Sequence, residues 1–185
     1  MARVDDAAEI LEQINKVRQV RQYEDKPVPD DVVNQLLEVA RWTGSSRNTQ
    51  PWHFIVVDDR EKLRQISQLR TPINWVADAS LAIAIVLHGE NENSEAYDEG
   101  RVTERIMIAA HMLWLGAGTA WYGDDPLREK AKEILGIPAE RTARSVVAIG
   151  HRISAKDPRP NPAMSGRHPL SEIVSQNTFG APRKG

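Results

Sequence analysis

Seven consecutive apolar residues, Leu81-Ala82-Ile83-Ala84-Ile85-Val86-Leu87, constrain this chain more than any other segment. An unbroken run of this length, without polar alternation, predicts a strand buried on both faces. The flanking sequence predicts its neighbours. Ile10, Leu11, Ile14 and Val17 fall on one face of a helix from about Ala7 to Val17. Pro27 and Pro29 break the chain, Asp30 can cap a second helix carrying Val33, Leu36, Leu37 and Ala40, and Gly44 marks its end. A strand follows at about 53–57. Asp58 or Asp59 then caps a helix reaching about Leu69.

Residues His88 to Glu95 read as a loop before the longest helix, about Glu99 to Leu115. The second half of that helix is apolar on nearly all sides, so it is expected to be central or shared with another subunit. A strand at about 118–122, a helix at about 126–135 and a strand at about 144–150 complete an α+β domain with one sheet of about four core strands. Residues 151–185 differ in kind. Pro158, Pro160, Pro162, Pro169 and Pro182 keep this tail extended, while Leu170, Ile173, Val174 and Phe179 call for apolar cover. The expectation is one domain over 1–185 with a strand-forming tail packed on a partner subunit.

Length and composition narrow the function. A chain of 185 residues suits one domain that buries roughly 70 % of its unfolded surface. Its net charge of −2 gives no electrostatic case for nucleic acid or anionic membrane. No apolar run approaches the ~20 residues of a membrane span. The start, Met1-Ala2-Arg3-Val4-Asp5-Asp6, lacks the apolar core of an export signal. The absence of cysteine removes thiolate chemistry and iron–sulfur ligation, and fits a reducing, cytoplasmic setting. The five histidines show no metal-ligand spacing. Gly116-Ala117-Gly118 follows a helix and precedes a strand, the wrong order for a dinucleotide-binding loop.

The polar run Ser45-Ser46-Arg47-Asn48-Thr49-Gln50-Pro51-Trp52-His53-Phe54 enters a strand on a rigid base, because Pro51 fixes its own φ and extends the residue before it. By itself it suits either a ligand site or an ordinary turn. Arg18 and Arg21 lie at the end of the first helix, where arginines complement the helix dipole. Together with Arg167 they could instead converge on a phosphate.

The segments Arg18-Gln19-Val20-Arg21-Gln22-Tyr23, Asn48-x-Gln50-Pro51-Trp52, Gly118-Thr119-Ala120-Trp121-Tyr122-Gly123 and Gly166-Arg167-His168-Pro169-Leu170 occur in one order. In that order and spacing the chain resembles the FMN-dependent nitroreductase family, from about Asn15 to Phe179. The resemblance implies a three-layer α+β fold with a mixed, mainly antiparallel sheet flanked by helices. It also implies an intertwined homodimer, with a C-terminal tail wrapping the partner and two FMN sites between subunits.

By position, Arg18 and Arg21 match the basic pair that grips the FMN phosphate and ring edge, and Arg167 completes the phosphate site. Ser45, Ser46 and Asn48 match groups reaching the flavin from the other subunit. Tyr122 and Gly123 match backbone over the isoalloxazine that donates near N5, with Trp121 adjoining it. Asn74 matches an amide reading the pyrimidine edge. The chain departs from the family's basic-basic-Ser signature, having Val17, Arg18 and Gln19 there; Gln19 can still hydrogen-bond a phosphate.

The implied activity takes hydride from NADH or NADPH and reduces nitroaromatics, quinones or related small acceptors in a ping-pong order. The flavin carries the chemistry, so no catalytic side chain or metal is expected. Two alternatives keep the fold: a reductive dehalogenase or dehydrogenase of a small metabolite, and a flavin-binding or storage protein without turnover. The short connection from His88 to Asp98 leaves no long lid, which favours an open site.

Overall fold

The computed structural model of the chain describes residues 4–153 and 166–183. They form two units, one ending at Ile153 and one following it. In chain order the first unit runs α1 (Val4–Lys16), α2 (Asp30–Arg41), β1 (Trp52–Val57), α3 (Arg60–Ser67), β2 (Leu81–Leu87), α4 (Glu92–Met112), β3 (Leu115–Trp121), α5 (Asp125–Leu135) and β4 (Thr142–His151). Two 3-10 segments, Ser46–Asn48 and Thr71–Asp78, were not foreseen from the sequence.

The sheet has the order β1-β2-β4-β3. All of its ladders are antiparallel, and among the described residues the one parallel feature is a bridge between Gln19 and Ala117, so the expected mixture shrinks to that bridge. Every residue of β2 is buried. Successive side chains of a strand point to opposite faces. Ala82, Ala84 and Val86 accordingly meet Leu63, Ile66, Val76 and Ala131 of α3, the 71–78 segment and α5. Leu81, Ile83, Ile85 and Leu87 meet Leu36, Val102 and Ile106 of α2 and α4. The result is three layers, helix on sheet on helix.

Several boundaries differ from the sequence expectation for local reasons. Asp30 is the first helical residue of α2, and Pro29 stands at the cap without a side-chain bond. Asp59 does cap α3, its carboxylate accepting the Lys62 N–H at 2.9 Å. α4 starts a turn and more earlier than expected because Asn91 caps it, accepting the Ser94 N–H at 2.9 Å. Glu95 then folds back to accept the N–H groups of Gly89 and Glu90, each at 2.9 Å. The apolar run that suggested a helix to Leu115 is split. Trp114 turns left-handed with φ 62°, and Leu115 already belongs to β3.

His151 closes β4 and Arg152 bridges to Tyr23, so both belong to the first unit rather than to the tail. In the second unit, α6 (Leu170–Ile173) is a single turn, and Ser175 pairs with Pro182 in an isolated bridge instead of a strand. Leu170, Ile173 and Phe179 are exposed. Pro158, Pro160 and Pro162 lie outside the described residues.

Candidate functional site

β3 is an edge strand, paired with β4 on one side only. Its other edge receives the segment that follows α1. The Val20 N–H donates to the Ala117 carbonyl at 2.8 Å, and the Thr119 N–H donates to Gln19 Oε1 at 2.8 Å. Residues a hundred positions apart are thereby joined. Small side chains permit the approach: a Cβ on Gly118 would stand 2.5 Å from the Val20 carbonyl oxygen, 2.9 Å from Trp75 and 3.0 Å from Gln19 Oε1. Gln19 uses its carbonyl oxygen on β3, which leaves its amide NH2 for another partner.

At the end of the same edge the chain turns at Gly123, with φ 121°. The Tyr122 N–H faces β4 and donates to the Arg144 carbonyl at 2.9 Å. Strand parity therefore sends the Gly123 N–H to the open edge. It has no partner among the described residues, and Arg128 Nε fixes the turn by donating to the Gly123 carbonyl at 3.1 Å. The sequence assigned donation to the Tyr122–Gly123 backbone jointly; the Tyr122 N–H is already used on β4, and the Gly123 N–H has no partner among the described residues.

The Tyr122 ring is fully buried on the α3 and α5 side of the sheet, so it faces the core instead of the edge. Its hydroxyl has no hydrogen-bond partner among the described residues, and burial, then the Glu99 charge, raises its pKa far above the ordinary phenol range. Beneath it, Glu99 of α4 accepts Ser145 Oγ at 2.7 Å and Arg144 Nη1 at 3.1 Å. This buried pair ties α4 to β4 at the level where Arg144 holds Tyr122. Ion pairs of this kind are costly to break singly, since removing one partner strands the other charge.

The basic groups divide. Arg18 Nη1 donates to the Asn15 and Val17 carbonyls at 2.6 Å each, the helix-terminus arrangement that the dipole argument describes. Arg21 stacks over Trp75, 5.7 Å from the ring centroid, and has no acidic partner among the described residues. Asn74 is exposed between buried Ile73 and Trp75 in the 71–78 segment. Trp121 is 48 % exposed, with the Arg70 guanidinium 5.0 Å from its ring centroid.

Ser45, Ser46 and Asn48 lie elsewhere. They precede β1, the opposite edge of the sheet, three strand spacings or roughly 14 Å from β3. Arg47, Asn48 and Gln50 hold left-handed φ values of 51°, 56° and 47°. Non-glycine residues there cost of order 1–3 kcal/mol each, which the surroundings must offset. Ser45 Oγ accepts the Gln50 N–H at 2.9 Å, while Arg101 and Arg105 of α4 donate to the Gly44 and Trp42 carbonyls at 3.2 and 2.8 Å. Gln50 also lines a cavity of about 650 Å³ with Leu37, Arg41, Trp52 and Phe54. Arg167 is in the second unit, where its Nη1 donates to the Gly166 carbonyl at 2.7 Å. The structure thus gathers Gln19, Arg21, Trp121 and Gly123 along one edge, and leaves the serines and Asn48 at the other.

Residues 14–87 match the sequence model of the Nitroreductase family. A protein of Archaeoglobus fulgidus named "Putative NADH dehydrogenase/NAD(P)H nitroreductase" is 36 % identical over 157 residues, 80 % of this chain and 88 % of that protein. This chain belongs to the nitroreductase family. The FMN reductase [NAD(P)H] of Bacillus subtilis is 31 % identical over 82 % of the chain and 70 % of its own length. Among solved structures, an FMN-dependent nitroreductase from Clostridium difficile R20291 superposes with a TM-score of 0.79 and 28 % identity, covering 91 % of this chain and 99 % of that one. No described helix is long and apolar enough to cross a membrane.

Arg70, Arg101, Arg105 and Arg128 carry contacts in or around these segments that sequence reasoning did not assign. No local spacing marks them, since each acts on residues distant in sequence or on a neighbouring turn.

Proposed function

We propose that this chain is an FMN-dependent NAD(P)H oxidoreductase that reduces nitroaromatics, quinones or related small acceptors. The observation that carries the reading is the junction of Gln19 with Thr119, which sets the basic segment beside Gly123 on one open edge. The donor set there fits the cofactor. Among the described residues Arg21 has no carboxylate to neutralise it, the Gln19 amide is available, and the Gly123 N–H has no partner. Arg18 joins them by leaving its helix carbonyls. Such groups suit a phosphate and the acceptor-rich rim of a flavin. Arg167 completes the phosphate contacts in this proposal, and Asn74 reads the pyrimidine rim.

When bound, FMN supplies hydride transfer at N5. The protein's part is to bind, orient and leave room. Arg144 and Arg128 hold the peptides before and after the one that carries the Gly123 N–H, which limits how that N–H can swing before any ligand arrives. Such preorganisation avoids reorganisation at the moment of reaction. One open face serves donor and acceptor in turn, which gives a ping-pong order. The net reactions balance as NAD(P)H + H⁺ + quinone → NAD(P)⁺ + hydroquinone, and as NAD(P)H + H⁺ + ArNO₂ → NAD(P)⁺ + ArNO + H₂O.

The site is completed by a second copy. Ser45, Ser46 and Asn48 stand at the β1 edge, across β2 and β4 from Gln19 and Gly123, and in this proposal they serve the ligand held by the partner's β3 edge. The backbone strain at Arg47, Asn48 and Gln50 supports a functional role for that loop. A homodimer with the tail of each chain on its partner would also cover Leu170, Ile173 and Phe179.

The test is anaerobic titration of the FMN-loaded protein with NADH. Bleaching of the flavin band, followed by its return on adding a quinone, is expected. Bound FMN that NADH leaves oxidised would overturn the reading.

A further inference from the structure

Beside Gly123 lies a cation that the flavin reading does not use. Arg70 has no ion pair and no side-chain hydrogen bond among the described residues; its guanidinium is held over the Trp121 ring at 5.0 Å. The backbone beneath it is fixed. Arg70 is extended at φ −160° and ψ 147°, it opens the 71–78 segment, and its carbonyl accepts the Ile73 N–H at 3.1 Å. Trp75 Nε1 donates to the Pro72 carbonyl at 2.9 Å and stiffens the same turn. The Arg70 Cδ lies 3.7 Å from where a Cβ on Gly123 would stand, so its stem runs past the N–H donor of the open edge.

A cation–π contact uses the charge of a guanidinium and the face of the ring, and it leaves the N–H groups available. Those groups form a planar fork that matches a carboxylate bidentately. Trp121, half exposed, adds a flat apolar surface next to that fork. A flat apolar surface and a fork for an anion, side by side, describe the two halves of an aromatic carboxylate.

We propose that Arg70, stacked on Trp121, binds the carboxylate of a planar aromatic acceptor and makes the site selective for acceptors that carry one. The inference rests on the flavin site proposed above, and its test separates the two. The FMN-loaded protein and its Arg70→Gln and Arg70→Lys variants are compared on 4-nitrobenzoate and on the neutral 4-nitrobenzamide. FMN affinity and the rate of flavin bleaching by NADH are measured alongside.

One charge-assisted contact corresponds to about a 10- to 100-fold change in kcat/KM. Arg70→Gln is expected to lose that much on the carboxylate and under about 3-fold on the amide. Arg70→Lys, which keeps the charge without the fork, should fall between. FMN affinity and bleaching should stay near those of the unaltered protein. An equal loss on both acceptors overturns the proposal. So does a loss confined to FMN affinity or to bleaching, since Arg70 would then serve the cofactor or the donor. Failure of NADH to bleach the unaltered protein overturns the functional reading itself.

Discussion

Tyr122 is a fully buried phenol whose hydroxyl has no hydrogen-bond partner among the described residues. A buried polar group left unpaired costs about 1–3 kcal/mol. Tyr122→Phe is therefore expected to keep or raise stability, by up to about 1–3 kcal/mol, in denaturant melts of the FMN-free protein. A large loss would show that the hydroxyl has a partner in solution. His111 makes a second prediction at this scale. Burial, then the charges of Arg152 and Lys16, lowers its pKa, and its Nε2 lies 3.3 Å from Gln13 Oε1 of α1. The unfolded chain takes up this proton first, near pH ~6.5, so the contribution is full above that value. It declines as pH falls from there toward the lowered folded pKa. His111→Gln should flatten that limb of the stability–pH curve, and an unchanged limb would assign the acid sensitivity to other groups.

Elements meet here through backbone approaches that a side chain would block. Gly118→Ala would place a Cβ 2.5 Å from the Val20 carbonyl oxygen, which is backbone and cannot swing aside. Overpacking of this kind costs about 1–3 kcal/mol. The variant should melt lower and bind FMN less tightly, because the Gln19–Thr119 junction opens. A Gly118→Ala protein with unchanged melting and unchanged FMN affinity would show that the junction is not structural. The junction explains what could be read in advance. The residues of the β3 edge were visible as motifs, but Gln19 could not be seen to be committed to Thr119, since that bond spans a hundred positions. The boundaries of α4 were misjudged for a related reason. Hydrophobic spacing gave Leu113 to Leu115 to the helix, whereas Asn91 at its start and the left-handed Trp114 at its end decide the limits.

For the whole molecule, the proposal that Arg21 and Asn48, at opposite edges of the sheet, serve one site across a dimer makes a sharp prediction. Arg21→Ala and Asn48→Ala should each weaken FMN binding in homodimers. Dissociated and reassociated together, the two variants form mixed dimers in which one site is intact and the other carries both changes. Recovery of tight FMN binding in the mixture is expected, and no recovery would place both residues in a site made by one chain. Truncation after Pro169 should reduce the dimer fraction in sedimentation; an unchanged profile would remove the tail from the interface.

The sequence by itself determined the layered core. An apolar run of seven with no polar alternation has to be covered on both faces, and β2 is. It also supplied the kinds of groups a flavin needs, since motif order is a property of the chain. Only the tertiary structure decided which of those groups share an edge. Strand order is set by long-range pairing and not by local spacing, so β1-β2-β4-β3 could not be read from the elements alone. That order leaves Gly123 and Arg70 together at one rim, and it carries Ser45, Ser46 and Asn48 away to the other.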